Sequence, residues 1–218
     1  IWQTFDVMFM QHPEFVDWLR EQKLHAHYLP LGFYPNQYSK TFTDYKYDVS
    51  FMGSAQTQVP PEDDKRAQYL KALREHYNVR VFGRGFDRCQ LASSPFKTHA
   101  QQRKVFSQTE VNLCLSFINT PHPFYADKLH LKNRFFEVPA TGNFLLCESG
   151  AEFEKLLPPD MVGYYDGSIE DLIAQTGRYL KDRNTRKEMA KRAYRCVHSH
   201  HKFRDRLASM MTILEQYR

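Results

Sequence analysis

The stretch KNRFFEVPATGNFLL, Lys132 to Leu146, joins an aromatic pair, an acid, a glycine five residues further on and an apolar run. It reads as a short ligand-binding helix feeding a buried strand. Glu137 stands among Phe135, Phe136, Val138 and Ala140, and carboxylates are almost never buried without a partner. Two partners suit it: Arg134, one helical turn earlier, as an ion pair, or the hydroxyl of a bound ligand. Pro139 offers no amide to the carbonyl four residues before it, which limits how far back the helix extends regularly.

Outward from this stretch, apolar runs alternate with amphipathic segments almost throughout. That is the pattern of a Rossmann-like α/β fold, a parallel sheet with helices on both faces. Asp6 to Met10 reads as a strand, Pro13 to Gln22 as a helix with Phe15, Trp18 and Leu19 on one face, and Leu24 to Gly32 as strand then turn. Buried strands follow at Tyr47 to Gly53, Val79 to Gly83, Val111 to Phe117, Phe144 to Cys147 and Val162 to Tyr165, with helices from about Glu62 to Tyr77, Thr98 to Gln108 and Glu152 to Leu157. Ser168 with Asp171, and Thr185 with Glu188, have capping-box spacing and mark two helix starts. The last helix, about Phe203 to Tyr217, carries Leu207, Met210, Met211 and Leu214 at helical spacing, a stripe expected to pack against a core or a domain.

Composition narrows the class. The 218 residues are enough for one or two domains, and the aromatic fraction of 15% with scattered Gly and Pro indicates a packed unit rather than a disordered one. No apolar run reaches the length of a membrane span, and the first residues lack signal-peptide character, so a soluble, cytoplasmic protein is expected. The chain begins at Ile1, already inside the alternation, as a piece of a longer protein would. Cys89, Cys114, Cys147 and Cys196 have no zinc or redox spacing. The net charge of +5 comes from 30 cations against 25 anions, much of the excess lying after residue 176. A solvated helix face accounts for it better than nucleic-acid binding, with an acidic lipid surface or a phosphorylated ligand as further readings.

Several residues have the chemistry of a phosphate site. Gly53 and Gly83 each end a predicted strand ahead of polar residues, Ser54 and Arg84 among them, and ligands of open parallel sheets sit outside the strands' carboxyl ends. Glycine there is either a turn residue or a place where backbone amides approach a phosphate. Lys132 and Arg134 lie where the chain enters the Glu137 helix and suit an anion; Arg66, near the start of another helix, either reaches the strand ends or, the favoured reading, stands as a solvated charge. His198, His200 and His201 cluster without an acidic or cysteine ligand, so no metal site is expected. No Ser, His and Asp arrangement and no paired carboxylates mark a hydrolytic centre.

Taken together, YDVSFMGS leading to Arg66, VRVFG, VNLCLSF, NRFFEVPATGNFLLCES, YYDGSIEDLIAQTGRYL and RKEMAKRAYRCV with His201, Phe203 and Arg206 resemble the C-terminal half of GT-B glycosyltransferases. The resemblance is to the spore-protein-like group related to glycosyl transferases group 1, and it spans about Tyr47 to Leu214. It implies that residues 1–35 end an N-terminal domain and its crossover, that residues 36–200 form the nucleotide-sugar-binding domain, and that residues 201–218 form a helix returning toward the N-terminal domain. The implied reaction is sugar transfer from a nucleotide-diphosphate sugar to the hydroxyl of an unidentified acceptor, without a metal or other cofactor. The catalytic base would come from the N-terminal domain. Glu137 matches the family glutamate that bonds the nucleotide ribose, with Gly142 five residues on; Leu129 occupies the place of the other donor-contacting glutamate. Arg134 and Lys132 would neutralise the diphosphate, and the Gly53 and Gly83 loops would approach phosphate and base. A catalytically idle nucleotide-sugar-binding or scaffold domain is the alternative reading.

Overall fold

The computed structural model describes residues 4–41, 44–56, 58–95, 98–117 and 128–217. Strand β1 (Met8–Met10), helix α1 (Pro13–Glu21) and strand β2 (Ala26–Tyr28) form a small parallel βαβ unit around Met8, Val16, Leu19 and Ala26. Trp18 does not join that core; it is 40% exposed and stacks on Phe15.

The main body alternates strand and helix: β3 (Tyr47–Met52), α2 (Lys65–Arg74), β4 (Val79–Phe82), α3 (His99–Ser107), β5 (Thr109–Cys114), α4 (Arg134–Ala140), β6 (Leu145–Glu148), α5 (Ala151–Leu156), β7 (Gly163–Tyr165), α6 (Ile169–Lys181), α7 (Arg183–His200) and α8 (Phe203–Leu214). The five strands β3 to β7 are all parallel, in the order β4-β3-β5-β6-β7. Both faces are covered, which is why the strands read as apolar runs. The strand period of two still sorts their side chains. Val49, Phe51, Val111, Leu113 and Leu146 meet Leu70 and Leu73 of α2 and Leu172 of α6. Met52, Cys114, Leu145 and Cys147 meet Phe106 of α3, Phe135 and Phe136 of α4 and Val197 of α7. Burying each such Leu or Phe contributes about 1.5–3 kcal/mol. The polar pair within the sheet is satisfied: Ser50 donates to Asn112 Oδ1 at 3.2 Å, and the Asn112 amide donates to the carbonyls of Phe106 and Phe144. The four cysteines are free thiols.

Helix starts follow side-chain oxygens that take orphan amides. Thr98 and Gln101 form a reciprocal capping box on α3, and Ser168 accepts from the Asp171 amide on α6. The Thr185 and Glu188 spacing does not cap α7. That helix begins two residues earlier, Asp182 accepts the Thr185 amide at 3.0 Å, and Glu188 pairs with Lys191. At the other end of α6, the buried Arg186 bonds Glu110 and the carbonyls of Tyr179 and Leu180. The helix expected from Glu62 starts later, because residues Pro61–Asp63 form a 3₁₀ turn and Asp64 caps α2.

Several contacts tie the βαβ unit and the segment after it to the main body. His12 and His130 share a hydrogen bond of 2.7 Å, Tyr28 donates to Glu152, and the backbone of Phe33 pairs with that of His201 and Phe203. Tyr217, after α8, packs on His25 and bonds His27. The α8 stripe is not a core element: no residue of α8 is buried, and Leu207 and Met211 are 58% and 48% exposed. Among the described residues no helix is long and apolar enough to cross a membrane.

Candidate functional site

From β3 the chain crosses to β4 on one side and then returns to β5 on the other. At such a reversal the loops after two adjacent parallel strands diverge and leave a crevice at the strands' carboxyl ends. A cleft of about 290 Å³ lies there, lined by Gly53 and Ser54 after β3, by Cys114 and Leu115 at the end of β5, and by Arg66, Lys132 and Arg134. Five of the residues expected from sequence are thus brought together around one crevice.

The cations are set by local structure. Asp64, wholly buried, accepts from the amides of Ala67 at 3.1 Å and Gln56 at 2.6 Å, so one carboxylate both starts α2 and anchors the loop after Gly53. Arg66, on the first turn of α2, then donates to the Ser54 carbonyl at 2.8 Å. Its Nε, and that of Arg134, are buried without a hydrogen-bond partner. Buried donors are nearly always satisfied, so two unpartnered guanidinium nitrogens beside one cleft point to an anion. Lys132 between them is pulled down to about 8, by burial first and then by Arg66. Burial also lowers the pKa of Arg66. A bound anion would relieve both effects.

One carboxylate beneath this site had no place in the sequence reading. Glu148, at the end of β6, is 2% exposed, and both its oxygens accept from the Ser116 amide at 2.9 and 3.0 Å. The Tyr165 hydroxyl faces it without meeting hydrogen-bond geometry. Burial raises Glu148 to about 7, which places its charge change near neutrality and within the field of Arg66 and Lys132. The neighbouring Cys114 is raised to about 11, by burial first and by Glu148 second, and so remains a thiol rather than a nucleophile. An acid closing the apolar run of FLLCE was the available signal for Glu148; for Asp64 it was a cap residue three positions before Ala67.

Glu137 lies one helical turn beyond Arg134 and outside the cleft lining. Burial raises its pKa, opposed by the Arg134 charge and by the nearby Tyr38 hydroxyl. Tyr38, from the segment before β3, also meets His99 Nδ1 at 3.0 Å and donates to Gln102 Oε1 at 2.9 Å. Both partners foreseen for Glu137 therefore have a counterpart: Arg134 supplies charge, and a hydroxyl is present, but it is the protein's own.

Besides Glu137, three expected site residues are not brought into the cleft. Gly83 packs against the neighbouring loop: a Cβ there would lie 1.6 Å from the Gly53 carbonyl oxygen, and Gly83 holds a φ of 153°. It is a close-approach residue that locks the two strand-end loops together through Gly53 N–H to Phe82 O and Ala55 N–H to Arg84 O, both 2.9 Å. Arg84 contributes that carbonyl and is itself exposed. Gly142, with φ of 77°, follows the C-cap of α4, its amide bonding the Pro139 carbonyl. It stands at the amino end of β6, across the sheet from the cleft.

Among the described residues, no group of three His, Cys, Asp or Glu side chains is placed to hold a metal. His198 meets the Ala140 carbonyl at 3.0 Å, while His201 stacks on Phe136 and bonds Arg206.

Residues 65–212 match the family model described as glycosyl transferase-like. Among solved structures, sucrose-phosphate synthase from Thermosynechococcus elongatus superposes with a TM-score of 0.69 at 10% identity, covering 96% of this chain and 57% of that one. HepE from Anabaena, in complex with UDP-glucose, gives 0.70 at 10% identity, with 97% and 64% covered. A glycosyltransferase from Rickettsia africae gives 0.69 at 8% identity, with 97% and 63% covered. At these identities the likeness is one of fold, and the chain spans about three-fifths of the length of those structures. No curated protein sequence matches it.

Proposed function

We propose that this chain, which belongs to the glycosyl transferase-like family and has the Rossmann-like parallel sheet of GT-B enzymes, is the donor-binding half of a glycosyltransferase. One observation carries the reading: Arg66, Lys132 and Arg134 converge on the switch-point cleft with two guanidinium nitrogens lacking partners. Three cations around backbone that follows Gly53 suit a nucleotide diphosphate. In the transfer, the bond from the anomeric carbon to the diphosphate oxygen breaks and its electron pair leaves with the diphosphate. The acceptor oxygen forms the new bond and gives its proton to a base of the preceding domain. Charge developing on the leaving group is what these cations would stabilise, with no metal required. Glu137, beside the cleft, would accept from ribose hydroxyls.

The domain reading goes with this one: residues 1–35 close the preceding domain, residues 36–200 bind the donor, and residues 201–218 return to the first unit, where Tyr217 meets His25 and His27. HepE was solved with UDP and with UDP-glucose, so UDP is the first nucleotide to try.

The test is calorimetric titration of UDP, GDP, ADP, CMP and TDP with EDTA present, in wild type and Glu137→Ala. Loss of charge-assisted bonds worth about 1.5–3 kcal/mol should weaken the preferred nucleotide about 10- to 150-fold. Equal affinity in wild type and Glu137→Ala would remove Glu137 from the donor site. Binding without sugar transfer in a full-length protein would favour the idle-domain alternative.

A further inference from the structure

A second cavity, of about 730 Å³, opens at the amino ends of the strands, across the sheet from the donor cleft. Its lining includes Lys40, Arg183, Lys187, Lys191 and Arg195, against the single carboxylate of Asp44. Five cations against one carboxylate give the lining of this recess a net charge of +4.

The arrangement has a physical cost. Arg183, Lys187, Lys191 and Arg195 recur every fourth residue along α7, and like charges at that spacing destabilise a helix by about 0.2–0.5 kcal/mol per pair. Only Lys191 is offset, by Glu188 at 2.6 Å. Among the described residues Arg183, Lys187 and Arg195 make no ion pair. A solvated helix face would intersperse acids; this one faces a cavity within the size range of small-molecule sites.

We propose that this recess binds a small anion carrying several phosphate groups. The basic row extends about 18 Å at the α-helical rise, too far for one phosphate to engage, and its monotonous charge suits a chain of them. The recess is not built to read nucleic acid, which needs open aromatic faces for its bases. Tyr45 and Tyr194 line it, but Arg183 and Arg186 lie 5.4 and 5.9 Å over the first ring and Lys40 lies 5.6 Å over the second. A flat lipid surface would leave the recess unfilled.

The experiment is calorimetric titration of the chain with sodium tripolyphosphate and with orthophosphate, in wild type, Lys187→Gln with Arg195→Gln, Lys187→Gln alone, and Lys132→Gln. The exchanged α7 residues are exposed, so the variants should fold, with thermal midpoints equal to that of wild type or slightly higher because like-charge pairs are removed. Tripolyphosphate is expected to bind well ahead of orthophosphate, at least tenfold more weakly in the double variant, more weakly in the single variant, and unaltered at this site by Lys132→Gln. Loss of all tripolyphosphate binding in Lys132→Gln, with none in the α7 variants, would place the anion in the donor cleft and overturn the proposal. So would tighter binding, with the same variant sensitivity, to a single-stranded RNA or to vesicles containing phosphatidic acid.

Discussion

Replacing Glu148 by Gln should change how stability depends on pH, and the size of the change follows from burial. Glu148 is 2% exposed, and desolvation raises its pKa from 4.5 to about 7. Between those values the folded state keeps a proton that the unfolded state has released. This group's contribution to stability is therefore greatest in acid and is lost as pH rises through about 7. With these two values, linkage gives a loss of about 2.5 kcal/mol between pH 5 and pH 8. Gln retains an oxygen for the Ser116 amide and cannot ionise. The wild type alone does not isolate the effect, because His130 and His201, both pulled down to about 4 chiefly by burial, add stability as pH rises from about 4 to 6.5. The quantity to measure is the stability of Glu148→Gln minus that of wild type, by urea or thermal denaturation at pH 5 and pH 8. It should grow by about 2.5 kcal/mol in the variant's favour, or about 5–10 °C in midpoint for a chain of this length. A difference that stays flat across that range would mean that the carboxylate is already ionised and solvated at pH 5, and the burial argument would fail.

Two further outcomes follow from the cleft. Lys132 sits near 8 because burial and two arginines disfavour its charge; a diphosphate supplies the missing counter-charge, so binding at pH 8 should take up as much as about half a proton. Calorimetry in buffers of differing ionisation enthalpy reads this, and uptake that persists in Lys132→Gln would assign the proton elsewhere. Gly83→Ala would set a Cβ 1.6 Å from the Gly53 carbonyl oxygen, so it should cost about 3 kcal/mol or more and weaken nucleotide binding by displacing the Gly53 loop. A variant with wild-type denaturation midpoint and nucleotide affinity would show that the two loops are not locked together.

The sheet was legible in the sequence because a parallel strand covered on both faces must be apolar on both, which leaves runs such as VSFM and LLC in plain view. The cleft was legible to the extent that ligands of a parallel sheet sit where strands end and the next helices start; Gly53, Ser54, Arg66, Lys132 and Arg134 met that condition and line it, whereas Gly83 and Arg84 met it without doing so. Glycine was where the reading failed, since a glycine facing a phosphate, one admitting a neighbouring carbonyl and one closing a helix look alike in sequence. Gly53, Gly83 and Gly142 are one of each in placement: at the cleft, against a carbonyl and after a C-cap. Glu148 was hidden for a different reason, because the Ser116 amide that makes its burial tolerable is 32 residues away. The basic row of α7 was visible as charge and read as a solvated face. Its meaning depends on Lys40 and Tyr45, which come from a segment more than a hundred residues earlier to wall the same recess. Local chemistry thus marks strand ends and helix starts, whereas the partner that turns a charge into a site is supplied by topology.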